Sequence, residues 1–265
     1  MFRRFGFVRR GWFLIFIVGL ALFFATEQIL VVTQNPNFIP TVILLGAFLV
    51  PLTFVTFIFE HEPVKDVPLP TVIVSFIWGG VIGIAAAGLI EYATLRNMNF
   101  GSLVGIGAIE EAVKLIFPLI LYARGRYRKE ADGLLFGVSS GMGFAALETM
   151  GYALIALLGP QGSISNLRDL LFVRGLLSPA GHAAWTGMMG AVIWQQRARG
   201  RSILNGAVLG TFLLVVTLHA LWDFFDLLPS QSAALAATSI AGNIAIAAIS
   251  LGLLARRIRE SVRAA

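Results

Sequence analysis

The sequence contains no cysteine, which excludes disulfides, thiolate metal sites and a cysteine nucleophile together, though it identifies no compartment. Charge is scarce as well. Only 13% of the 265 residues are Asp, Glu, Lys or Arg, against 57% hydrophobic residues and a mean hydropathy of +0.84. So little polar surface excludes a water-soluble globule. Acidic residues are the rarer sign, 14 against 20 Lys and Arg, and there are three histidines. Loops long enough to hold a separate soluble domain are missing, and so is any visible internal repeat, which disfavours inverted-repeat transporter folds.

What is present is a series of apolar runs. Runs of about 20 residues span a bilayer as helices, and eight are predicted at 11–32, 38–60, 69–92, 100–123, 132–158, 168–194, 203–228 and 232–256. The expected fold is therefore an all-α polytopic membrane bundle. The first run is too long for a secretory h-region and lacks a small-x-small cleavage site, so it reads as an uncleaved anchor. With the N-terminus placed in the cytoplasm, 16 of the 20 basic residues fall on inside segments, among them Arg3, Arg4, Arg9, Lys65, Arg128, Arg199 and Arg256. Only Arg96 and Arg168 fall at outside ends. This asymmetry places both termini inside. It also accounts for the net charge of +6 without nucleic acid as a partner.

Organisation along the chain follows the polar content. Residues 1–99 hold three peripheral spans, 100–228 the polar core spans, and 229–265 the last span with a basic cytoplasmic tail, all within one integral membrane domain. Glu27 and Glu91, near outer ends of peripheral spans, read as interfacial. Gly133, Gly137 and Gly141 recur every fourth residue and mark a face of close helix packing, with Gly143 nearby; no strand surrounds them to make a nucleotide loop.

The informative feature is a set of ionisable side chains inside the apolar runs. A charge at mid-bilayer costs about 3 kcal/mol or more, so such groups default to a functional reading. Glu110 and Glu111 are adjacent on one helix, about 100° apart, and Lys114 lies within reach of both. Two neighbouring acids repel while the ammonium offsets that repulsion, so one carboxylate can stay ionised beside a paired or protonated partner. Phe144, Glu148 and Tyr152 share a face of the next span, and Arg174 in the span after it is a candidate partner for Glu148 or Asp223. His182 has Ser178 and Thr186 one turn to either side. His219 and Asp223 are spaced i, i+4, so the carboxylate can fix the imidazole tautomer and leave the other nitrogen for chemistry. Pro118 and Pro179 each free an upstream carbonyl, those of Lys114 and Gly175. Depth places these polar groups at or near mid-helix, where they can meet in one chamber.

In order and spacing, Glu110-Glu111-x-x-Lys114, Phe144-x-x-x-Glu148, Gly-His182-Ala-Ala-Trp-Thr-Gly and His219-x-x-x-Asp223 resemble the PrsW family of intramembrane proteases. The segment Asp132-Gly133-x-x-Phe136-Gly137 adds to the likeness, which covers roughly residues 100–226. That family is similar to the type II CAAX prenyl endopeptidases and Abi-type membrane proteins. The resemblance implies site-1 cleavage of a single-span membrane protein, typically an anti-sigma factor, at the plasma membrane. It carries Glu110, Glu111, Glu148, His182, His219 and Asp223 over as catalytic residues, with Lys114, Phe144 and Arg174 in support.

Clustered acids and imidazoles without a covalent nucleophile point to hydrolysis by activated water, with Glu111 or Glu110 as general base and His219 serving the tetrahedral intermediate. Two versions stay open. A zinc-like divalent metal has candidate ligands in Glu111, Glu148, His182 and His219, although no His-Glu-x-x-His spacing exists. The preferred version needs no cofactor, because the paired acids and the lysine can tune a base themselves. Two other functions fit intramembrane acids: a proton-coupled transporter, and a non-catalytic scaffold for membrane helices. Oligomeric state leaves no mark in the sequence.

Overall fold

A computed structural model describes residues 10–61, 66–95, 99–160, 162–228 and 232–263. Arg3, Arg4, Arg9, Lys65 and Arg96, which entered the charge asymmetry, lie outside the described residues. All regular structure among the described residues is helical: α1 (Gly11–Thr33), α2 (Ile39–His61), α3 (Leu69–Thr94), α4 (Phe100–Lys114), α5 (Ile116–Ala123), α6 (Glu130–Leu158), α7 (Ile164–Leu177), α8 (Ala184–Ala198), α9 (Gly206–Asp226) and α10 (Ala233–Arg263). A 3-10 turn, Pro36–Phe38, leads into α2, and a π turn, Pro179–Ala183, joins α7 to α8. Six helices are long and apolar enough to cross a membrane, namely α1, α2 with its leading turn, α3, α6, α9 and α10. The protein is a multi-pass all-α membrane protein.

The fourth and sixth predicted spans each come in two pieces. Pro118 explains the first break: without an N–H it cannot satisfy the Lys114 carbonyl, and the chain steps from α4 to α5 at Leu115, whose N–H bonds back to Ala112. The freed Lys114 carbonyl accepts a 2.6 Å hydrogen bond from the Ser140 hydroxyl. Pro179 breaks the second, where the Ser178 hydroxyl donates to the Gly175 carbonyl at 2.9 Å before the π turn. The helix ends are chemically specified as well. Asn99 and Ser102 form a reciprocal capping box on α4, Ser163 caps α7, and Asn205 caps α9. The expected tail after the last span is largely helical, since α10 runs to Arg263.

The chain divides into two compact units, with the boundaries inside α6 and at Pro179. One comprises residues 1–62 and 145–179. In it α2 packs on α1 and α7, and Phe23, Leu30, Val42, Ala47, Ala153, Leu167 and Leu171 form its core. Glu60 closes the start of α1 by accepting the Gly11 N–H at 3.0 Å, an acid placed at the positive end of a helix. Glu27 is buried here and faces Arg168 at 3.8 Å.

The second unit comprises residues 63–144 and 180–265 and holds most of the polar groups. Its central strut is the first half of α6, residues 133–144 of which are buried. Side chains added at Gly133, Gly137 and Gly141 would collide with the carbonyl oxygens of Gly190, Thr186 and His182 respectively. The four-residue glycine spacing is thus the seam along which α6 meets α8 and the π turn. Gly143 faces the other way, against the Phe76 carbonyl of α3. Backbone-to-backbone approach of this kind is what small residues allow where lipid offers no hydrophobic drive.

Candidate active site

Four elements of the second unit bring the polar groups together. α4 supplies Glu110, Glu111 and Lys114; the π turn supplies His182; α8 supplies Trp185 and Thr186; α9 supplies His219 and Asp223. Close contact of α4 with α9 depends on Gly107, where an added Cβ would stand 3.2 Å from the Val216 carbonyl and 3.3 Å from His219 Cβ.

Lys114 is fully buried and donates to both acids, at 3.0 Å to Glu110 Oε2 and 2.8 Å to Glu111 Oε1. Its ammonium also lies 4.3 Å from the centre of the Phe144 ring, a cation–π contact that steadies a charge removed from water. Glu111, with no exposed surface, is the most heavily engaged group. Beyond Lys114, its Oε1 stands 3.0 Å from His219 Nδ1, and its Oε2 accepts from the Thr186 hydroxyl at 3.4 Å.

The orientation of His219 differs from the sequence expectation. Glu111 engages the Nδ1 edge, whereas Asp223 was expected to hold the ring; the i, i+4 spacing instead leaves Asp223 Oδ2 3.6 Å from Nε2. Glu110 Oε2 faces the same nitrogen at 3.7 Å. Both separations exceed a direct hydrogen bond. The indole of Trp185 stacks on His219 at 4.8 Å between centroids and is fixed by its N–H to Ser250 Oγ at 2.9 Å. His182 completes the group, its ring 6.4 Å from that of His219 and 5.8 Å from that of Phe144.

Five of the six predicted catalytic residues therefore belong to one cluster, with Lys114 and Phe144 in the supporting positions anticipated for them. The sixth, Glu148, belongs to the other unit. There it pairs with Arg174 at 2.6 Å, and the guanidinium lies 4.1 Å from the centre of the Tyr152 ring. Of the two acids the sequence offered Arg174, the structure pairs it with Glu148.

Glu91 is the residue whose place the sequence did not signal. It sits in α3 within electrostatic reach of Glu110, His219, Lys114 and Asp223, and its buried Oε1 makes no hydrogen bond. Nothing in its local sequence separates it from Glu27, so only the tertiary arrangement could have found it.

The family model described as "PrsW family intramembrane metalloprotease" matches residues 67–253. The chain belongs to the PrsW family of intramembrane proteases. Among curated proteins it is similar to Protease PrsW of Oceanobacillus iheyensis, 23% identical over 65% of this chain and 77% of the relative. It is also similar to Protease PrsW of Shouchella clausii, 32% identical over 44% of this chain and 50% of the relative. Protease PrsW of Halalkalibacterium halodurans is 29% identical over 47% of this chain and 54% of the relative. The match thus spans about half the length of the last two relatives. No solved structure matches the chain.

The PrsW family description names a metalloprotease, and the donor set decides whether a metal fits. Among the described residues, no three His, Asp or Glu side chains are arranged to hold a metal ion. The Lys114 ammonium stands in hydrogen-bond contact with both glutamates, in the place a cation would take between them. In this arrangement the residues do not fit a metal.

Proposed function

We propose that this chain is a site-1 endopeptidase of the plasma membrane that hydrolyses a peptide bond in a single-span protein such as an anti-sigma factor, using water activated by a glutamate. The supporting observation is the convergence of Glu110 Oε2 and Asp223 Oδ2 on His219 Nε2 at 3.7 and 3.6 Å, opposite the Nδ1 edge held by Glu111. Glu111, engaged by Lys114, His219 and Thr186, has the role of a fixed carboxylate that orients the imidazole. Glu110 is then the general base. It takes a proton from a water seated against His219 Nε2, and the water oxygen attacks the scissile carbonyl carbon. As the C–N bond breaks, the proton passes by way of His219 Nε2 to the leaving amine. His182 and Trp185 wall the imidazole, and the Lys114 ammonium balances the two acids throughout.

A separate apolar cavity of about 620 Å³, lined by Ala112, Leu115, Met189, Ile193 and Leu209, contains none of the cluster side chains. The test is a bilayer-reconstituted assay with a panel of single-span proteins, anti-sigma factors included, and products identified by mass. The native chain is expected to release a discrete fragment, and Glu110→Gln is expected to lower the rate by about 10²–10⁴ while the protein stays folded. Undiminished cleavage by the Glu110→Gln, Glu111→Gln double variant ends this reading.

A further inference from the structure

A second polar site occurs at one end of the second unit, built by three helix ends. The first turn of α6, the last turn of α8 and the last two turns of α10 enclose a cavity of about 670 Å³. Six cationic side chains line it: Arg128, Lys129, Arg199, Arg256, Arg257 and Arg263. Only two acids do, Glu130 and Glu260, leaving an excess of four positive charges (six minus two). Glu260 is consumed by Arg256 and Arg257, at 2.8 and 2.9 Å. Lys129 is answered from outside the lining by Asp66 at 2.6 Å, after which three charges are still unbalanced.

Positive charge at a cytoplasmic helix end needs no concavity, because solvated arginines orient a membrane protein equally well. Here the cations surround one hollow, and its wall contains a buried acceptor. Glu130 is 7% exposed; its Oε2 accepts from Gln195 Nε2 at 3.0 Å, while Oε1 is buried with no hydrogen-bond partner. A cavity rich in guanidinium groups suits a phosphate, and an orphan carboxylate oxygen beside them suits a hydroxyl donor.

We propose that this cavity binds a phosphate ester carrying a free hydroxyl, with the phosphate among the arginines and the hydroxyl donating to Glu130 Oε1. That chemistry belongs both to the phosphatidylglycerol headgroup of the surrounding bilayer and to soluble glycerol phosphate. Basic hollows between membrane helices on the cytoplasmic side are suited to lipid headgroups. The site lies on different residues from the proposed catalytic cluster and does not depend on proteolysis.

Native mass spectrometry of the full chain in detergent tests it, with phosphatidylglycerol, phosphatidylethanol or phosphatidylcholine of matched acyl chains, alongside calorimetric titration with glycerol phosphate. The informative variant is Arg199→Ala with Arg263→Ala, both exposed residues, checked for an unchanged melting temperature. Phosphatidylglycerol is expected to be retained by the native protein and weakened about 30-fold in the variant, the combined effect of two surface arginines on an anionic headgroup. Binding of glycerol phosphate but not of the lipid assigns the same site to a soluble ligand. Equal retention of phosphatidylglycerol and phosphatidylcholine, or no change in a folded variant, overturns the site. Phosphatidylethanol, a diester of the same charge without the hydroxyl, bound as tightly as phosphatidylglycerol overturns the Glu130 contact.

Discussion

At the scale of single residues, Lys114 carries the most consequence. It is fully buried, and two carboxylates and an aromatic face take up its charge. Replacing it by methionine leaves two adjacent buried acids without a counter-ion, and breaking a buried pair in this way costs about 3–5 kcal/mol. Lys114→Met is therefore expected to unfold at a much lower temperature in detergent, and an unchanged melting curve contradicts the ion triad. Glu111→Gln is expected to lose both activity and stability, because it loosens Lys114, His219 and Thr186 together, whereas Glu110→Gln is expected to lose activity with little change in melting. The sequence revealed the identity of these groups because charges inside apolar runs have few structural excuses. It did not reveal how they divide the work. Spacing made Asp223 the natural holder of His219, and only the approach of α4 to α9 shows that Glu111 takes that role.

Elements fail or hold along the glycine seam of α6. An alanine at Gly137 would drive its methyl group into the Thr186 carbonyl, where backbone cannot give way. Overpacking of this kind costs about 1–3 kcal/mol, and because Thr186 touches Glu111 the same substitution is expected to lower activity. Gly88 on α3 is the matching control: nothing lies within 4 Å of an added Cβ, so Gly88→Ala should be neutral or stabilise by up to about 1 kcal/mol. Thermal melting of the two variants side by side checks both. The four-residue repeat made this seam legible from sequence, while the partner helix was not, since small residues record closeness without naming a neighbour. Prolines were similarly half legible. Pro118 and Pro179 foretold two orphan carbonyls, and the donors turned out to be Ser140 and Ser178, of which only the latter was near in sequence.

For the whole molecule, hydropathy was enough to set the all-α membrane class, and Pro118 and Pro179 mark the two spans that are broken. The orientation is directly testable because the chain has no thiols of its own. Single cysteines at the exposed positions Asn37 and Ser202 are expected to react with an impermeant maleimide from opposite sides, Ser202→Cys from the cytoplasm. Labelling of both from one side refutes the topology. Dialysis of the reconstituted protein against a strong chelator is expected to leave peptide hydrolysis intact if the Lys114 ammonium, which bonds both glutamates, is the cation that balances them; activity lost on chelation and restored by one metal ion reverses that expectation.

The π turn at Pro179–Ala183 fixes the phase of everything after it. One residue more than an α-helical turn requires is accommodated there, in the turn that carries His182 and just ahead of Thr186. Deleting a single residue from this turn would shift the helical phase of the residues that follow it by about 100°. The imidazole of His182 and the hydroxyl that Thr186 offers to Glu111 would then point elsewhere, although no functional side chain had been altered. Deletion of Pro179 or Ala180, which precede the motif beginning at Gly181, is thus expected to lower activity without removing any site residue.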